Sequence, residues 1–144
     1  MPKYSYLEAS RRHFKDAEIL ENESRYANAS QLLGISAECG LKAAFCGFGL
    51  LPQTPDGEIP LKQYKIHIDK LITAVSLMST NMKSAQYQTS IPSIACITHW
   101  GVDQRYISDI EYSTNLHAHF PSWKHSAEEI QRMLDTAIMN GDIS

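Results

Sequence analysis

Residues 25–48 read RYANASQLLGISAECGLKAAFCGF, and the spacing of apolar side chains along them sets the class of structure. Tyr26, Ala29, Leu33, Ala37, Leu41, Ala44 and Phe48 recur every three or four positions with no proline between them, which gathers them on one stripe of a helix. Gly34 and Gly40 lie inside the pattern, and each costs about 1 kcal/mol relative to alanine in a helix interior. That cost makes sense where another backbone packs closely against the same face. The stretch therefore predicts a long helix with a tight crossing on its small residues.

Working outward, Ser5 is a helix cap before Leu7, Phe14, Ala17 and Leu20, with Arg11, Arg12, Lys15, Asp16 and Glu18 on the other sides, so a first helix runs to about Asn22. Downstream, Gly47, Gly49, Pro52, Pro55, Asp56-Gly57 and Pro60 break helical hydrogen bonding or favour turns and predict a loop. Ile68, Leu71, Ile72, Val75, Met78 and Met82 follow the i, i+3, i+4, i+7 pattern and predict a third helix over 64–83. After a polar stretch, Pro92 opens a helix carrying Ile94, Ala95, Ile97 and Trp100 toward Gly101. Residues 106–123 mix aromatics, histidines and polar groups without a sustained period, and read as an ordered connection with room for a short helical turn; irregular segments of that length are often functional. Ser126 and Glu129 form a capping box ahead of Ile130, Met133, Leu134, Ala137 and Ile138, and Gly141 stops the last helix. The expectation is one all-α domain over 1–144.

The charge balance supports that class and narrows the partners. Thirteen basic against 16 acidic side chains leave a net charge of −3, which opposes the broad positive field of nonspecific nucleic-acid binding while leaving a locally basic site open. The three cysteines, Cys39, Cys46 and Cys96, contain no C-x-x-C pair and read as reduced thiols. With no apolar run of membrane length and no signal sequence, the chain is expected in the cytoplasm, off the membrane. Two N-x-S tripeptides, at Asn22 and Asn28, carry no meaning there.

Chemistry is carried by few groups. The P-loop, G-x-G-x-x-G, H-E-x-x-H and G-x-S-x-G patterns are all missing. His117, His119, His99 and His125 lack the cysteine or carboxylate spacing of a metal site, so neither metal nor cofactor is expected. Glu38 and Lys42, four apart on the second helix, form an ion pair set among Ala37, Leu41, Ala44 and Phe45; if partly buried, the pair needs polar partners, for which His67 and Arg105 are candidates. Arg105 beside Tyr106 either holds a phosphate bidentately or satisfies helix carbonyls.

Residues 25–45, followed by His67 and by Arg105-Tyr106, resemble the HEPN (higher eukaryotes and prokaryotes nucleotide-binding) family over most of the chain. The most specific part is Glu38-Cys39-Gly40-Leu41-Lys42-Ala43-Ala44, which is similar to the family's Glu-Cys-x-Leu-Lys helix. The resemblance implies an antiparallel bundle of four to five helices, a homodimer, and a place in toxin–antitoxin, phage-defence or nucleotidyltransferase systems. Many members are metal-independent ribonucleases with an Arg-x(4–6)-His motif. Here the next histidine after Arg105 is His117, twelve positions on, and His67-Ile68-Asp69 stands where His-Asp-Leu or His-Asn-Leu is usual.

The leading expectation is a non-catalytic HEPN-like protein binding a nucleotide, RNA or protein partner through a polar cleft of Glu38, Lys42, His67, Arg105 and Tyr106, with Tyr106 or Trp100 stacking on a base. One alternative is a divergent ribonuclease toxin using Arg105 with His117 or His67. Another is a structural dimeric subunit serving a nucleotidyltransferase or antitoxin partner.

Overall fold

The computed structural model describes residues 2–60, 82–87 and 100–143, and the described residues are helical without a strand. The helices are α1 (Tyr6–Asn22), α2 (Tyr26–Gly47), α3 (Met82–Ala85), α4 (Asp109–Glu111) and α5 (Phe120–Met139). The helix expected over 64–83 lies outside the described residues apart from its last positions, as do His67, Cys96 and His99. Of the helix expected from Pro92, only Trp100 and Gly101 are described, and neither is helical.

The Ser5 Oγ accepts the Glu8 N–H at 3.2 Å and starts α1 where the sequence places it. The helix ends at Glu23; Ser24 takes the left-handed conformation at φ 59°, and the Arg25 N–H returns to the Leu20 carbonyl at 2.8 Å. This short reversal sends α2 back along α1. The Lys42 ammonium lies over the Tyr6 ring, Ser36 meets Ser10, and Ala29 clusters with Ala17, so the two helices are antiparallel.

Small residues set how close they come. The Ser10 hydroxyl donates to the Ser36 carbonyl and the Ser36 hydroxyl donates to the Ser10 carbonyl, both at 2.7 Å and both buried. Each satisfied hydroxyl contributes about 1 kcal/mol, and neither adds bulk at the crossing. The Gln131 amide from α5 adds a bond to Ser10 Oγ at 2.7 Å, tying three helices at one level. At that level Gly40 faces Ile130 and Ser10 with no space for a β-carbon. Gly34 abuts the indole of Trp100 in the same way, so what fills the space at both glycines is a side chain rather than the closely packed backbone that the sequence predicts.

α5 lies parallel to α2 and antiparallel to α1: Phe120 clusters with Ala29 and Leu33, Ile130 reaches Gly40, and Ile143 reaches Gly47. Arg11–Asp135 at 2.7 Å and Lys124–Glu21 at 2.5 Å bridge α1 to α5 in the opposite sense. The parallel α2–α5 pair follows from the long connection between them, which returns the chain to the start of α2. Between the three helices lie Leu33, Leu41, Phe45, Trp123, Ile130 and Leu134, all fully buried. Beyond α5, Gly141 at φ 77° turns the chain so that Tyr87 donates to Asp142 at 2.5 Å and Ile143 enters the core.

Two expectations are corrected. Residues 106–123 hold far more helix than the single short turn expected: from Ser108 the chain runs through α4, a π-helical turn (Tyr112–Leu116) and a 3-10 turn (His117–His119) directly into α5. Tyr112, Phe120 and Trp123 are buried and Leu116 is partly buried, a helical spacing obscured by exposed polar residues between them. Ser126 does not cap a helix either. It is fully buried inside α5, which begins a turn and a half earlier, because Pro121 occupies the first turn, where its missing N–H costs nothing.

Candidate functional site

The reversal between α1 and α2 and the unusual helical stretch after α4 face one another across a cleft of about 500 Å³. Arg25, Tyr26 and Asn28 line it from the start of α2, and Asp109, Tyr112 and His117 from the opposite side. Each side has a local cause. Arg25 supplies no side-chain cap to α2, so the first-turn N–H groups of Tyr26, Ala27 and Asn28, which have no intrahelical acceptor, stand beside the cleft. Ser24, also on the rim, holds a left-handed conformation that costs a non-glycine residue about 1 kcal/mol.

Across the cleft, the π-helical turn widens the backbone by one residue and brings Tyr112 and His117 to the same side. Their ring centroids are 5.9 Å apart, and Tyr26 meets the His117 ring edge-on at 4.8 Å and Phe120 at 5.2 Å. Tyr112 Oη and Ser30 Oγ share a buried hydrogen bond of 2.6 Å that anchors this wall to α2. Burial pushes the Tyr112 phenol above its ordinary range, only partly opposed by Ser30, so it stays neutral at physiological pH. His117 itself is exposed at the mouth.

The chemistry available is recognition of an anion with a planar group beside it. Arg25, His117 and the uncapped first residues of α2 line one concavity, and a guanidinium, an imidazole and a helix start are groups that bind phosphate. The aromatic wall offers apolar surface for a ring. Among the described residues no group of three His, Cys, Asp or Glu side chains is placed to hold a metal.

Of the residues singled out from sequence, His67 lies outside the described residues, His117 lines the cleft, and Glu38, Lys42, Arg105 and Tyr106 are not among its lining residues. Glu38 and Lys42 pair at 3.4 Å with side chains only 13% and 11% exposed, and the ammonium also lies 5.7 Å from the Tyr6 ring centre. They sit in the α1–α2 seam. Arg105 and Tyr106 are on the surface in a 3-10 turn (Val102–Tyr106), with the guanidinium 4.8 Å from the Tyr106 ring centre. Among the described residues Arg105 makes no ion pair, so the structure does not join it to Glu38 and Lys42. Trp100 is buried against Gly34 and is closed to base stacking. Cys39 and Cys46 are partly buried, and burial pushes both thiols up to about 11, away from nucleophilic chemistry.

Sequence reading missed Arg25, Tyr26, Asn28, Asp109, Tyr112 and Ser113. The only signal for them was the length and histidine content of the segment containing Asp109, Tyr112 and Ser113. In comparisons with known proteins, no family model, curated protein or solved structure gives a significant match to this chain.

Proposed function

We propose that this chain is a HEPN-like helical protein that binds a phosphate-bearing ligand, a nucleotide or an RNA end, in the cleft between the start of α2 and residues 109–117. The observation that carries the reading is the presence of Arg25, His117 and the uncapped first turn of α2 on one concavity with the Tyr26 and Tyr112 rings. Phosphate sits at the helix start on Arg25 and the backbone donors, and the base lies along the aromatic wall. A volume of about 500 Å³ suits a mononucleotide, within the usual range for small-molecule sites. Glu38 and Lys42 then serve the α1–α2 seam rather than the ligand.

Calorimetry with nucleoside monophosphates and short RNAs tests this. Arg25→Ala and His117→Ala are each expected to weaken binding about tenfold, the usual size for losing a charge-assisted hydrogen bond. Binding left intact in both variants, or absent from the wild type, excludes the cleft.

The same pair supports a second reading, metal-independent RNA cleavage, since an arginine and a histidine share the cleft although the sequence spacing Arg-x(4–6)-His is missing. Here Arg25 stabilises charge on the phosphorus centre and His117 transfers the proton. RNA cleavage in the presence of chelator, lost in both variants, distinguishes this reading from binding alone. A setting in toxin–antitoxin or phage-defence systems, and a homodimer, follow from the resemblance and are tested by neighbouring genes and by light scattering.

A further inference from the structure

The cleft holds a carboxylate as well as a guanidinium. Arg25 and Asp109 are both exposed and both line it, and neither makes an ion pair with the other or with any other described residue. Two opposite charges thus share one concavity without neutralising each other. For a bare anion this is a poor site, because Asp109 repels whatever Arg25 and the α2 start attract. A ligand that carries its own hydrogen-bond donors at a distance from its anionic end turns that repulsion into attraction.

We propose that Asp109 is a specificity-determining residue that selects phosphate esters of vicinal diols over bare phosphate. This rests on the binding reading above. A carboxylate is an acceptor with two oxygens, and two adjacent sugar hydroxyls are two donors with matching spacing. Ser113, one helical turn beyond Asp109 on the same wall, lines the cleft and adds a hydroxyl able to donate or accept. With phosphate at Arg25 and the diol at Asp109, the ligand spans the cleft and the base lies along the Tyr26–His117–Tyr112 rings.

The test compares three probes by calorimetry: adenosine 5′-monophosphate, its 2′,3′-dideoxy counterpart and inorganic phosphate. Wild-type protein is expected to bind the ribonucleotide about tenfold more tightly than the dideoxy form, the size of a charge-assisted hydrogen-bond loss. In Asp109→Asn that ratio falls to about twofold while inorganic phosphate binds about threefold better, because the repulsion is gone. The ratio is insensitive to a general loss of folded protein, and circular dichroism checks the helix content of the variant. If Asp109→Asn improves all three probes in parallel, Asp109 only adds negative charge or supports the helix start at Ser108, and the inference falls while phosphate binding stands. If the wild type binds none of the probes, and short RNAs give no heat either, the binding reading falls first and takes this one with it.

Discussion

Gly34→Ala gives the sharpest test of the packing, because two effects of known sign oppose each other. In a helix interior with free space, alanine is about 1 kcal/mol better than glycine. A β-carbon at Gly34 meets three atoms of the Trp100 indole, Cε2, Cδ2 and Nε1, and the indole is only 4% exposed. A rigid bicyclic ring cannot bend aside as the end of a leucine can, so Trp100 must shift bodily. A bodily shift of the indole falls between overpacking, about 1–3 kcal/mol, and emptying a tryptophan site, about 3–5 kcal/mol, so it costs about 2–4 kcal/mol. After subtracting the propensity gain, the net loss is about 1–3 kcal/mol. For a chain of this size it lowers Tm by about 3–10 °C. Urea titration followed by circular dichroism reads the stability, and a red shift of tryptophan emission reports Trp100 moving toward water. The decisive control is the Trp100→Ala background, where Gly34→Ala should become stabilising by about 1 kcal/mol. A neutral or stabilising Gly34→Ala in the wild type, or a loss that persists without the indole, refutes the reasoning.

Other expectations follow from burial and charge. Glu38→Ala leaves the Lys42 ammonium in a site 8% exposed and is expected to cost about 2–4 kcal/mol by chemical denaturation. Arg132→Ala, whose side chain is 62% exposed beside Glu128 and Glu129, should cost no more than about 0.5 kcal/mol; equal losses would contradict the burial of the first pair. Cys39 and Cys46, with thiols at about 11 against an ordinary 9.0, should be alkylated about 100-fold more slowly at neutral pH than in the unfolded chain, as peptide mapping after iodoacetamide would show. His13 is held below its ordinary 6.5, first by burial and then by Arg12, so the folded state takes up its proton later than the unfolded one. Its contribution is complete above pH 6.5 and is lost as pH falls through the lowered value. His13→Gln should therefore flatten the stability profile on the acid side, and an unchanged profile would count against this account.

What the amino-acid order settled is local. The stripe from Tyr26 to Phe48 marks a helix because its spacing matches 3.6 residues per turn, and Ser5 and Gly141 mark ends because their side chain or lack of one meets a backbone requirement there. Gly34 and Gly40 announced a close approach, since only contact repays their helical cost, though the order could not say that Trp100 and Ile130 fill those places. The parallel pairing of α2 with α5 was not legible, because it depends on where a long connection returns the chain. Nor was the cleft. Arg25 and His117 are more than ninety positions apart along the chain, and the π-helical turn that swings Tyr112 and His117 toward Tyr26 leaves no periodic trace among polar neighbours. Glu38 and Lys42 drew notice as charges among apolar residues, but a charge pattern does not tell a buried seam from a ligand pocket. That distinction belongs to the tertiary structure, because it rests on which surfaces meet and which remain open.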